Sequence, residues 1–452
     1  MHSSTQENVV LVVEPISCLH DEPVTIRVSG LQPKKYITLM TTMKDIRGVH
    51  FMSYAHFIAN DEGKVDVSRM ESQGGHYKEH FPMGLIGGLK PAPSEFKYTR
   101  FFKRDVETPN EVKVSVHEGH LSEEDLCPPD PAPHLAWVTH LRHYMAPGVK
   151  RIPVRYGKVR GTLFLPQGPG PFPGVVDMFG TAGGLLEYRS AQLASRGFAS
   201  LALAFFGYDD LPKSLEEFNI TYFEEAVEFL LKHEKVLRYG VGVIGTSKGG
   251  DLALSMAAFI SSVRACVAIN GCSGPIGVPM RVRDKLYHNI PNWDASMIRL
   301  TDDGVVISQN TSIHPNSFKE MALPIEKSNA AYLFIASGND QDMKSEMYAH
   351  DAYKRLSENY YTRHYEISSH PGAGHILEPP YSPHSWASFQ HAQMLVMCWG
   401  GTCKYHTLGQ QNAWVTTIQF LWHHLVKECD PDSQTEPVLP TYSNDKHLQS
   451  NL

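Results

Sequence analysis

The chain has 452 residues, of which 42% are hydrophobic and 20% charged, and its 41 basic and 48 acidic side chains leave a net charge of -7. A length about three times that of a typical domain predicts two domains, and this ordinary composition excludes wholesale disorder, a collagen repeat and a disulfide-stapled miniprotein. The acidic balance argues against a broad nucleic-acid surface, while 24 histidines beside 7 cysteines invite a metal-site reading.

Residues 1–8 are polar, and the apolar run Val9 to Val13 is too short for a signal-peptide core. No window approaches the roughly 18 apolar residues of a membrane span. The odd number of cysteines and their irregular spacing suit a reducing, intracellular compartment. From there to about residue 120 the pattern has period two. Val9–Val13, Val24–Val28, Ile37–Met43, Val49–Ile58 and Val112–Val116 are rich in β-branched and aromatic residues, with turn clusters such as Asn60-Asp61-Glu62-Gly63 between them. Short strands at this spacing predict an N-terminal all-β sandwich over residues 1–126. Four prolines between Cys127 and Pro133 read as the start of a stiff linker, placed at 127–145.

Beyond the linker the pattern changes. Pro173–Phe179, Phe198–Phe206, Val241–Ile244, Val263–Asn270, Tyr332–Ser337 and Arg363–Ile367 are predicted strands, and most are continuously apolar. Helical segments lie between them, among them Leu186–Arg196 and Tyr222–Lys232. Buried strands alternating with helices predict a doubly wound, mostly parallel sheet covered on both faces, over residues 146–430, followed by a tail at 431–452.

The chemistry-bearing motif sits in that second half. Strand Val241–Ile244 runs into Gly245-Thr246-Ser247-Lys248-Gly249 and then a small-residue helix. This is G-x-S-x-G in strand–turn–helix context, where the glycines let a serine sit in a strained turn. A serine nucleophile needs a base, an acid that orients the base, and an oxyanion hole. The acid is expected just past strand Tyr332–Ser337, at Asp340, with Asp342 the alternative. The base is expected in the Gly-containing loop after the last strand, at His375, with His370 the competitor. Backbone N–H groups of Lys248 and of Thr181, in the loop Gly180–Gly184, are the expected oxyanion donors.

Other clusters read as non-catalytic. Cys398, Cys403 and His406, with His391 nearby, lack zinc-site spacing, and His117-Glu118-Gly119-His120 is not H-E-x-x-H. No resident metal or cofactor is expected. Lys150, Arg151, Arg155, Lys158 and Arg160 read as the solvated face of an edge hairpin, or as a patch for a polyanionic ligand. The chain ends Ser450-Asn451-Leu452, similar to the peroxisomal Ser-Lys-Leu tripeptide but with Asn in place of the cation. An import receptor is therefore a candidate partner, and peroxisome or cytosol the expected location.

Long uncommon strings carry a family resemblance. Asp177 through Arg189 (DMFGTAGGLLEYR), Tyr208–Pro212, Ser247–Gly250, Gly374–Tyr381 and Trp399–Gly401 resemble the type I acyl-CoA thioesterases, which form one family with the bile acid-CoA:amino acid N-acyltransferases. Asp21–Pro23, Pro82–Leu85 and Lys103–Val106 recur in the same order in the N-terminal half. The resemblance implies a β-sandwich followed by an α/β-hydrolase domain, a Ser247–Asp340–His375 triad, and an acyl-CoA substrate. It also implies hydrolysis, because conjugating members typically carry cysteine as nucleophile. Amino-acid conjugation and general carboxylester hydrolysis stand as alternatives. Lys103-Arg104, or the Lys150–Arg160 cluster, is expected to meet the phosphates of CoA.

Overall fold

A computed structural model describes residues 8–127, 132–290, 294–391 and 393–444. The chain divides into two units, residues 1–144 with 380–385, and residues 145–379 with 386–452.

The first unit is built from two sheets, one of three strands and one of seven. In the larger sheet, along Asn110–Glu118, the side chains of Val112, Val114 and Val116 share one fully buried face, and Glu111 is exposed on the other. That strand pairs antiparallel with Tyr36–Lys44, which pairs in turn with His50–Ile58. The expected linker needs correction. Residues His134–His143 form a ten-residue strand, antiparallel to Asn110–Glu118 and parallel to Ser17–Leu19. Its inward positions include His140 and Arg142, so the apolar alternation that would have marked a strand is missing. Arg142 donates to the Glu22 carbonyl at 2.8 Å and lies over the Tyr381 ring. The backbone groups around it supply the polar partners that burial of a guanidinium demands. Pro128, Pro129 and Pro131 lie outside the described residues.

The second unit is an eight-stranded sheet. Its strands, numbered in chain order, are β1 (Lys150–Tyr156), β2 (Val159–Leu165), β3 (Phe172–Met178), β4 (Ala199–Ala204), β5 (Val236–Thr246), β6 (Val263–Ile269), β7 (Ala331–Ser337) and β8 (Tyr365–His370). The spatial order is β1-β2-β4-β3-β5-β6-β7-β8, antiparallel at β1–β2–β4 and parallel from there on. The continuous apolar strands resolve into two faces with period two. Tyr332, Phe334 and Ala336 of β7 join one core, while Ala331, Leu333 and Ile335 join the other. Helices α1 (Tyr188–Ser195), α2 (Ile220–Lys232), α3 (Lys248–Phe259), α4 (Ser345–Glu358) and α5 (Cys403–Trp422) cover the sheet. Phe223 and Leu230 of α2, Met256 of α3 and Leu356 of α4 fill the first core; Leu193 of α1 with Trp414 and Leu421 of α5 fill the second. The doubly wound expectation is met. At the start of α2, Asn219 caps by accepting the Thr221 N–H at 3.1 Å. A four-stranded sheet that includes Leu395–Cys398 and Ala387–Gln390 was not expected from the sequence. Among the described residues, no helix is long and apolar enough to cross a membrane.

Candidate active site

The elbow forms where β5 meets α3. Ser247 has φ 57° and ψ -123°, a region that a residue with a side chain enters only when its surroundings enforce it. The surroundings do. A Cβ on Gly245 would lie 1.8 Å from the Gly249 carbonyl oxygen, and one on Gly249 would lie 2.4 Å from the Phe179 oxygen. Strand and helix backbones touch there, and both motif glycines are needed. The Ser247 N–H donates to the Ile269 carbonyl on the neighbouring β6 at 2.9 Å, which anchors the turn to the sheet.

The loop after β3 runs against Ser247. A Cβ on Gly180 would lie 3.1 Å from the Ser247 Cβ and 3.4 Å from its Oγ, so Thr181 follows at the serine's flank. Lys248 opens α3, and its N–H is among those a helix leaves without an internal partner. Its side chain is occupied elsewhere: Nζ donates to Asp251 Oδ2 at 2.9 Å and to the Ile276 carbonyl at 2.8 Å. Burial pushes the Asp251 carboxyl up despite that lysine.

Asp340 and His375 meet across the carboxyl ends of β7 and β8. Asp340 is fully buried, and its Oδ2 lies 2.7 Å from His375 Nδ1. The carboxylate also accepts the N–H groups of Asp342 (2.8 Å) and Met343 (3.0 Å), and the Ser345 hydroxyl. Four donors on one carboxylate hold it aimed at the histidine. The histidine loop is fixed from three sides. The His375 N–H donates to the Trp399 carbonyl at 2.7 Å, its ring stacks on the Trp399 ring, and the neighbouring Gly374 N–H donates to His406 Nδ1 at 3.0 Å. Trp399-Gly400-Gly401 also abuts Asp340, since Gly400 (φ 75°) bridges to it and would drive a Cβ to 2.0 Å from the Asn339 oxygen.

Asn270, at the carboxyl end of β6, is a residue the sequence reading did not single out. Its Nδ2 donates to the His375 carbonyl at 2.7 Å and to the Ser337 hydroxyl at 3.0 Å, while its Oδ1 accepts the Ser337 N–H at 2.8 Å. It follows Ile269, whose carbonyl holds Ser247. One side chain thus ties together the elbow strand's neighbour, the acid strand and the histidine loop. Its signal was an asparagine ending a buried strand, a residue suited to its φ of 48°.

The alternatives fall elsewhere. His370 is buried beside α5, its pKa pushed down to about 4 by that burial, and its Nε2 lies 3.1 Å from Ser368 Oγ. Asp342 does not take the orienting position at Nδ1; its Oδ2 lies 3.4 Å from Nε2, on the opposite edge of the ring. Cys398 ends the strand Leu395–Cys398 and His406 lies in α5, where its Nδ1 accepts the Gly374 N–H, and among the described residues the group of side chains close enough to share a metal is His423, His424 and Glu428. His117 and His120 bond the backbone carbonyls of Pro133 and Phe57.

The polyanion patch needs correction. β1 and β2 form the expected edge hairpin, but Arg151 is bound bidentately by Glu187 and Arg160 by Asp210, while Arg155 donates to Asp209 through one nitrogen. Three of the five cations are already neutralised. Lys103 donates to the Thr108 carbonyl at 2.7 Å.

This sheet order, with a serine at a strained elbow after β5, defines an α/β hydrolase. Residues 218–427 match the family model for the BAAT/acyl-CoA thioester hydrolase C terminal, and residues 21–156 match the acyl-CoA thioester hydrolase/BAAT N-terminal region. Human acyl-coenzyme A thioesterase 1 is 41% identical over 92% of this chain and 96% of its own length. Mouse acyl-coenzyme A thioesterase 3 is 39% identical over 94% of this chain and 98% of its own length. Human mitochondrial acyl-coenzyme A thioesterase 2 is 41% identical over 92% of this chain and 84% of its own length. The chain belongs to the acyl-CoA thioester hydrolase/BAAT family.

Proposed function

We propose that this protein hydrolyses fatty acyl-CoA thioesters to free fatty acid and CoA through an acyl-Ser247 intermediate. The observation that carries this is a serine, rather than a cysteine, at the strained elbow of a chain that aligns almost end to end with thioesterases. His375, held by Asp340 with its Nδ1–H engaged, presents Nε2 as base. It takes the Ser247 proton as Oγ attacks the thioester carbonyl. The N–H groups of Lys248 and Thr181 receive the charge on the tetrahedral oxygen. His375 then returns the proton to the departing thiol, whose pKa of about 8.5 makes it a far better leaving group than an amine. Water, activated by the same imidazole, releases the acid.

Thiol release from an acyl-CoA, followed with and without glycine or taurine, tests the reaction. Free acid is expected as the product in every case, and conversion to an N-acyl amide when amino acid is present overturns hydrolysis in favour of conjugation. Turnover of simple oxygen esters with no preference for CoA would instead make it a general esterase.

All seven cysteines are free thiols, which fits a reducing, intracellular setting. Within the cell we assign peroxisome or cytosol, with Ser450-Asn451-Leu452, which lies outside the described residues, as the signal an import receptor would read. A fluorescent protein fused ahead of the full chain should enter peroxisomes and return to the cytosol when those three residues are removed. Identical distributions of the two fusions would exclude the signal.

A further inference from the structure

We propose that Asp342 governs the base: it shares a proton with His375 Nε2 in the resting enzyme, and that proton must leave before His375 can act on Ser247. This rests on the triad reading above and adds a positioning residue to it.

Both ring nitrogens of His375 face a carboxyl group. Asp340 Oδ2 lies 2.7 Å from Nδ1, and Asp342 Oδ2 lies 3.4 Å from Nε2. A neutral imidazole has one N–H, which Asp340 takes at Nδ1, leaving a lone pair at Nε2. A lone pair and an ionised carboxylate repel each other, so the Asp342–Nε2 contact is favourable only with a proton between them, on the nitrogen or on the oxygen. Ser308 Oγ donates to the other oxygen, Oδ1, at 2.7 Å. The loop is built to hold the carboxyl in place, since the Asp342 N–H donates to Asp340 Oδ1 and its carbonyl accepts the Ser308 hydroxyl at 3.1 Å. Burial pushes the Asp342 carboxyl up, and the imidazole pulls it back. Among the described residues Cys398 also faces the pair, and its thiol is raised by burial and by the two acids.

The pair therefore titrates as a unit. Nε2 is free to accept the Ser247 proton only once the shared proton has left the pair, and the negative charge of Asp342 moves the pH of that step upward. Removing the charge lowers it.

The experiment is the pH profile of kcat/KM for thiol release by the full chain, each variant normalised to its own plateau. Asp342→Asn is expected to move the acid-limb midpoint down by about one pH unit, and Asp342→Ala to do the same without a side chain that can itself bond Nε2. Asp342→Glu should restore the wild-type midpoint. Asp340→Asn, by contrast, should lower the plateau itself by about 10⁴-fold. A midpoint that stays in place in both Asp342→Asn and Asp342→Ala overturns the proposal. So does a plateau collapse on the scale of Asp340→Asn, which would make Asp342 the orienting acid. Ser247→Ala run alongside separates the two levels. Persistent thiol release there defeats the triad, whereas its loss with unmoved Asp342 midpoints defeats this inference alone.

Discussion

Ser247→Ala is expected to reduce thiol release from an acyl-CoA by about 10⁴-fold or more, with the thermal unfolding midpoint within about 2 °C of wild type. The first half follows from the division of labour at the elbow. The oxyanion donors and the imidazole remain in the variant, yet neither forms a bond to the acyl group, so only the slow direct attack of water is left. The second half follows from geometry. The turn is imposed by Gly245 and Gly249 packing backbone to backbone and by the Ser247 N–H bond to Ile269, and alanine preserves both. Steady-state kinetics with a thiol reagent, beside a melting curve, measures the two together. A residual rate above one hundredth of wild type in a folded variant would contradict the role of Ser247.

Arg189→Met is expected to destabilise the second unit by about 3–5 kcal/mol, the cost of stranding a buried carboxylate, and to lower its unfolding midpoint by about 10 °C. Arg189 and Asp177 are both buried. Nε lies 2.8 Å from Asp177 Oδ1, and the two terminal nitrogens donate to Thr246 Oγ1 (2.6 Å) and the Met178 carbonyl (2.7 Å). Ser190 Oγ occupies the second carboxylate oxygen at 2.9 Å. The network clamps the carboxyl ends of β3 and β5 together, one residue short of the nucleophile on β5 and two short of Gly180 on β3. Its removal leaves Asp177 with no cation in a dry site. Replacing Asp177 by leucine as well should recover part of the loss, because the pair is costly to break and cheap to exchange for apolar groups. Chemical denaturation of the two single variants and the double variant measures the coupling. A single-variant loss under about 1 kcal/mol would mean that the clamp contributes nothing beyond packing.

The parts of this molecule that are legible in its sequence are those where one physical signal dominates. Continuous apolar runs with small flanking residues mark β3, β5, β6 and β7, since strands covered on both faces tolerate little else. The elbow is legible because strained turns demand glycine at fixed offsets, and the meeting of Asp340 with His375 because chain order and strand ends confine both residues. Strand His134–His143 is hidden because its inward residues include His140 and Arg142, whose partners come from segments more than a hundred residues away. Helix α5 is hidden for the opposite reason. Gln410, Gln411 and Thr417 are buried along with Trp414, Ile418 and Leu421, so no polar stripe faces an apolar one. The pairing of Arg151, Arg155 and Arg160 with Glu187, Asp209 and Asp210 could not be read either, because the carboxylates lie 36 to 54 residues further along the chain. A run of like charges in sequence is a set of separate ion pairs in space. Asp342 shows the same limit at finer scale: sequence places two acids beside the base but does not say which nitrogen each one meets.

The most direct test of the central claim is covalent. Treating the full chain with a serine-reactive fluorophosphonate, and following adduct mass and acyl-CoA thiol release in the same samples, relates modification to turnover. The expected result is one adduct per chain, mapped to the peptide carrying Ser247, with activity falling in proportion to labelling. Full labelling of Ser247 with thiol release unaffected, or inactivation that maps to any other residue, would contradict an acyl-serine mechanism at this site.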